Sequence, residues 1–135
     1  MKIGRLLFAM LFWYLPLQAQ EPDTIKQFIA TRITTAPKID GKTDDPVWQS
    51  LPVLRGFTQY KPEFGAKESQ KTEVRIAYDD KALYILAELF DEHPDSILKE
   101  FGARDNFDVN ADYFRFCMDP YGKHQDSYVF GVTAA

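Results

Sequence analysis

The alternation of apolar and polar positions is strongest between residues 72 and 90. Val74, Ile76 and Tyr78 alternate with Glu73, Arg75 and Ala77, the period of a strand with one buried and one wetter face. Asp79-Asp80-Lys81-Ala82 supplies turn chemistry, and Leu83 to Phe90 returns as a more continuously apolar run. Continuous apolar runs belong to strands covered on both faces, so the second strand of this hairpin is predicted to be central. Another strand is predicted at 113–118, with Phe114, Phe116 and Met118 on one face and Tyr113, Arg115 and Cys117 on the other. Asp119-Pro120-Tyr121-Gly122 turns the chain toward a last strand carrying Tyr128, Phe130 and Val132. Near the start, Ile29, Thr31 and Ile33 alternate with Ala30 and Arg32, which suits an early strand reaching Thr35. Helical signals are short: Asp45-Pro46 reads as N-cap and first helical position, turning Trp48 and Leu51 inward, and Asp95 caps a predicted turn over 96–101. Residues 52–71, rich in Pro, Gly, Lys and Glu, read as a strand-like piece near 54–60 followed by a loop. The expected architecture is all-β, with a core of Trp48, Val74, Ile76, Leu83, Ile85, Phe114 and Phe116.

The first nineteen residues follow a different logic. Lys2 and Arg5 precede an apolar core from Leu6 to Leu17, and Leu17-Gln18-Ala19 offers a small-residue cleavage site, the pattern of a secretory signal peptide. The run is short for a membrane span and Pro16 interrupts its end, though an uncleaved anchor is the alternative. Export is therefore expected, to the periplasm, the outer membrane or the exterior. Cleavage before Gln20 leaves 14 basic against 20 acidic residues, a net charge of −6, and then a lead-in of 20–27 before one domain over 28–135. That balance argues against a nucleic-acid partner, which requires clustered Lys and Arg. Cys117 has no intrachain partner and is expected to be a small buried core residue. The last strand runs to Ala135 without a cap or a partner beyond it, so the chain is expected to be part of a larger protein.

Three stretches in order carry a family resemblance: Pro37-Lys38-Ile39-Asp40-Gly41-Lys42-Thr43-Asp44-Asp45-Pro46-Val47-Trp48, then Thr72 to Ile85, then Asp112-Tyr113-Phe114-Arg115-Phe116-Cys117-Met118-Asp119. Together they resemble the family 9 carbohydrate-binding modules, and in particular the related domain at the N-terminus of many exported proteins of Bacteroidetes type. The resemblance implies an antiparallel β-sandwich and a non-catalytic role in polysaccharide binding and breakdown. It also implies a ligand site built from a Trp just before the third stretch, a carboxylate on its strand and an Arg on the neighbouring strand. The matching positions are Val109, Arg115 and Gly131, and none keeps the family's residue.

A sugar site needs an aromatic face for the ring and planar polar groups for its hydroxyls. Phe107, Tyr113, Arg115 and Tyr121 are the candidates near the family's positions, with completion of a core or an interface as the plainer role for each. Asp108, Asn110 and Asp112 fall at alternate positions of an acidic loop and could supply oxygens to a structural calcium. Tyr113 replaces the glycine an EF-hand needs there, and a solvated turn is the alternative. His93 and His124 are far apart in sequence with no second cysteine, which argues against zinc. Asp79, Asp80, Asp91, Glu92 and Asp95 all fall at turns, so no carboxylate pair stands out for glycoside hydrolysis, and no other nucleophile or phosphate-loop motif occurs. Two functions compete: binding of an oligo- or polysaccharide, or a structural and interaction role at the N-terminus of an outer-membrane β-barrel protein. A glycoside hydrolase as the larger parent rests on association alone.

Overall fold

The computed structural model of the chain describes residues 26–106 and 108–135. The predicted signal segment and most of the lead-in lie outside the described residues, as does Phe107. Five strands carry the fold: β1 (Thr31–Arg32), β2 (Thr72–Tyr78), β3 (Leu83–Leu89), β4 (Tyr113–Met118) and β5 (Tyr128–Thr133), with one helix, α1 (Pro46–Ser50). They form two layers, a β1-β2-β3 sheet and a β4-β5 sheet, as in an antiparallel β-sandwich. The β2–β3 and β4–β5 pairs are antiparallel. β1 departs from that expectation: it pairs parallel to β2, with Thr31 opposite Ala77, and is shorter than the predicted strand. Only Ile33 of its alternating residues packs into the core, while Ile29 stands exposed.

Local chemistry explains the elements read correctly. Asp45 caps α1 by accepting from the Val47 N–H at 2.9 Å, and its other oxygen accepts from the Lys38 N–H at 3.1 Å, which ties the incoming turn to the helix. At the hairpin turn, Asp79 Oδ1 accepts from the N–H groups of Lys81 and Ala82 at 2.7 and 2.8 Å, and Oδ2 from the Tyr84 hydroxyl at 2.9 Å. That turn sets the register in which Ala77 faces Tyr84 and Arg75 faces Leu86. A bridge between Leu54 and Val74 extends the same sheet, which gives the predicted strand-like piece near 54 a partial counterpart.

The best-packed cluster lies on the face expected to be wetter, although Val74 on the opposite face is buried as expected. Trp48 is 2% exposed and packs with Leu51 and Ala77, joined by Ile33, Tyr84 and Leu86. Ala77 has almost no side chain, so the indole can lie flat against the sheet there. The polar end of the same face is an ion network. Glu73 is 5% exposed and meets Lys71 Nζ at 2.6 Å, Arg55 Nε at 2.8 Å and Arg75 Nη2 at 3.7 Å, while Arg75 Nη1 meets Glu88 at 2.5 Å. Hydrogen bonds from Lys71 and then Arg55 hold the Glu73 carboxyl below its ordinary range.

Several expectations are corrected. β3 is an edge strand of its sheet among the described residues and β2 is the central one, because β1 and the Leu54 bridge both add to β2. Leu83 is 41% exposed and outside the core, since it opens β3 directly at the turn. Ile76, Ile85, Phe114 and Phe116 are half-buried, whereas Val74 is buried. Cys117 is exposed, on the outer face of β4 rather than in the core. Residues 96–101 are not a helical turn: Pro94 starts a 3₁₀ turn over Pro94–Ser96, and Lys99 then bridges to Ala111. Proline's fixed φ suits the first helical position, so the turn begins before Asp95 rather than being capped by it.

Candidate functional site

The two faces of the β4–β5 ribbon differ. One face carries the half-buried Phe114, Phe116 and Met118 opposite Val132, Phe130 and Tyr128, which remain exposed. The other, outer face pairs Tyr113 with Thr133, Arg115 with Gly131 and Cys117 with Val129. On that outer face the Arg115 guanidinium lies 4.4 Å from the centre of the Tyr113 ring, a cation–π stack between residues two apart on one strand. Gly131, directly opposite Arg115, adds no side chain to that face.

The loop preceding β4 completes the site. Gly102 lies so close to Val109 that a Cβ there would stand 2.6 Å from Val109 Cγ1, so the loop closes on itself only because residue 102 lacks one. Asp105 adopts φ 65°, a left-handed conformation that Asp tolerates better than most residues. The Asn106 N–H donates to Ala103 O at 3.1 Å, and the Asp108 N–H to Asn106 Oδ1 at 2.9 Å. The loop is tied to β5 through Asp112, whose carbonyl accepts from the Ala134 N–H at 2.8 Å. Between loop and strand lies a cleft of about 450 Å³, lined by Arg104, Asp105, Asn106, Val109, Gly131 and Thr133 among others. A second cleft of about 690 Å³ opens between the two layers, with Thr72, Ala87 and Leu89 on one side and Phe114 and Val132 on the other.

Val109, Arg115 and Gly131 are the positions expected from the resemblance to match the family's site. Arg115 and Gly131 stand directly opposite each other, and Gly131 and Val109 line one cleft. The model of the carbohydrate family 9 binding domain-like family matches residues 39–134. The chain belongs to that family. No curated protein and no solved structure matches it.

Membership points to carbohydrate binding and to a non-catalytic domain. In this family 9-like chain, Tyr113 and Arg115 are brought together opposite Thr133 and Gly131, which line the smaller cleft, while Tyr113 itself lines the larger one; Tyr121 is not brought to them. It lies on the turn beyond the opposite end of β4, and a six-residue strand separates its ends by roughly 16 Å. Asp119 organises that turn by accepting from the His124 N–H at 2.7 Å and the Tyr121 N–H at 3.1 Å, and these bonds hold its carboxyl below the ordinary range. Arg104, Asp105 and Asn106 were not among the binding residues expected from sequence, although an Asp-Asn pair between two strand-like segments marks a left-handed turn. In the acidic loop Asp112 Oδ2 accepts from the Leu98 N–H at 3.4 Å, and the Asn110 N–H donates to Glu100 at 2.9 Å. Among the described residues no group of three His, Cys, Asp or Glu side chains is placed to hold a metal ion. No helix among them is long and apolar enough to cross a membrane.

Proposed function

We propose that this chain is the glycan-binding domain of an exported protein, accessory to polysaccharide breakdown, and that its sugar lies on the outer face of β4–β5. The observation that carries this reading is the convergence of the Tyr113–Arg115 stack, Gly131 and the polar cleft behind it. A pyranose has an apolar face of C–H groups, which the negative face of an aromatic ring attracts. Arg115 sits over the Tyr113 ring and brings a guanidinium, a group of N–H donors that suits sugar hydroxyls, to the same face of β4. Asp105 and Asn106 supply acceptors at the cleft, and Gly131, which also lines it, carries no side chain to fill it. Where the family pattern has a carboxylate, Arg115 offers donors only, so the bonding pattern differs from the family's even though the place is kept. Export is supported by the basic and apolar pattern of residues 2–17.

Titrating the chain with cellohexaose, xylohexaose and mannohexaose while following intrinsic fluorescence tests this. A saturable change is expected with at least one, weakened about tenfold by Tyr113→Ala or Arg115→Ala without loss of melting temperature. No saturable change at millimolar sugar refutes the reading. One observation favours a second reading, a structural or interaction domain attached to a larger partner such as an outer-membrane barrel: Leu83, Leu89, Phe130 and Val132 are large, apolar and exposed. Such a domain would bind no sugar in the same titration.

A further inference from the structure

Residues 57–68 form a small hairpin that lines neither cleft. Thr58 bridges Lys67, the Gln59 N–H donates to Ala66 O at 2.8 Å, and the Gly65 N–H donates to Gln59 O at 2.9 Å. The Gln59 side-chain amide adds a bond to Lys67 O at 2.8 Å. On this frame Tyr60 and Phe64 stand edge to face, with ring centres 6.1 Å apart and planes at 79°. They remain 76% and 79% exposed.

We propose that this tip is a second glycan contact, separate from the β4–β5 face, that takes a pyranose of a soluble, uncharged polysaccharide; it rests on the glycan reading above. The hairpin backbone is held by hydrogen bonds and the two rings lean on each other, which lowers the conformational cost for a ligand that covers them. Their size selects the ligand. Two such side chains offer roughly 300–500 Å² at most, whereas a stable protein interface takes about 800 Å² from each partner. One aromatic face, by contrast, matches one sugar ring. Charge argues the same way: Lys61 and Lys67 are balanced by Glu63 and Glu68, while an anionic lipid surface calls for a cluster of about four or more basic residues. Because the rings are nearly perpendicular, the flat face of a crystalline fibre cannot lie on both, but a twisting soluble chain can meet the face of one ring and the edge of the other. Lys61 and Glu63, both exposed at the tip, bring a donor and an acceptor next to the rings for hydroxyls.

Affinity electrophoresis of the full chain through gels containing xylan, glucomannan or mixed-linkage β-glucan tests the proposal. The unaltered chain is expected to be retarded by at least one, and the Tyr60→Ala/Phe64→Ala variant to lose about tenfold in affinity with an unchanged circular dichroism melt. Undiminished retardation of that variant, while Tyr113→Ala abolishes it, overturns the second contact and leaves the β4–β5 site standing. A chain retarded by none of the three overturns both. Nitration of the unaltered chain gives a readout independent of how the variant folds. Trypsin releases residues 56–67, in which Tyr60 is the one tyrosine, and the retarding polysaccharide should protect it several-fold from nitration; equal nitration with and without polysaccharide overturns the proposal.

Discussion

Replacing Trp48 by alanine removes the centre of the best-packed part of the molecule. The indole is almost wholly covered by Leu51, Ala77 and the half-buried Ile33, Tyr84 and Leu86. A buried indole withdraws roughly 150–250 Å² from water, which at about 25 cal/mol per Å² is a gross gain of about 4–6 kcal/mol. Alanine keeps a methyl group and the neighbours relax in part, so a net loss of about 3–5 kcal/mol is expected. Set against the roughly 5–15 kcal/mol of a small domain, that is a large share of total stability. At about 4 °C per kcal/mol for a domain of this size, the melting temperature should fall by about 15 °C. Equilibrium urea unfolding followed by far-ultraviolet circular dichroism measures the loss, with Leu83→Ala as the matched control. Leu83 opens β3 beside the turn and is substantially exposed, so its truncation should cost about 1 kcal/mol or less. Equal costs for the two variants, or a Trp48→Ala loss below about 1 kcal/mol, would refute the placement of the core on the α1 side of the first sheet.

The four carboxyls of Asp45, Glu73, Asp79 and Asp119 are all held below their ordinary range by hydrogen bonds or cations. A depressed folded-state pKa contributes stability that is present above the unfolded value and disappears as pH falls through the folded one. The chain should therefore hold its stability down to about pH 4 and lose it below, with Glu73→Gln flattening that acid limb; an unchanged limb in a urea-midpoint series against pH would contradict the ion network. Gly102→Ala should weaken sugar binding in the hexasaccharide titration while lowering the melting temperature little, because the added methyl collides with Val109 in the loop and not in the core. Cys117, on the outer face of β4, should react with a thiol reagent in the folded chain about as fast as in urea. Strong protection would place it inside.

What could be read from the sequence was what neighbouring residues decide. Asp45-Pro46 and the Asp79 turn act over two or three positions, so α1, the hairpin and the inward Trp48 were all legible. The choice of face on β2 was not. Val74, Ile76 and Tyr78 outweigh Ala77 in any count of apolar side chains, yet the distant Trp48 packs with Ala77, whose small side chain leaves it room, while Val74 alone of the other three is buried. Glu73 joins that covered face because cations from residues 55, 71 and 75 gather around it, and only the fold brings Arg55 there. The pairing of Tyr113 with Arg115 was legible, because a spacing of two on a strand puts them on one face. Tyr121 was misjudged because nearness in sequence hid the length of β4 between it and Tyr113. Arg104, Asp105 and Asn106 emerged only from the fold, where Gly102 lets their loop close on Val109 and the loop faces Gly131 and Thr133 across the cleft.

Amide chemical shifts recorded during titration with the best-binding hexasaccharide bear most directly on carbohydrate recognition at the β4–β5 face. Saturable shifts are expected at Arg104, Asp105, Asn106, Gly131 and Thr133, which line the cleft beside the Tyr113–Arg115 stack. A titration that saturates while leaving those amides unmoved, or one that moves none in the molecule, would contradict it.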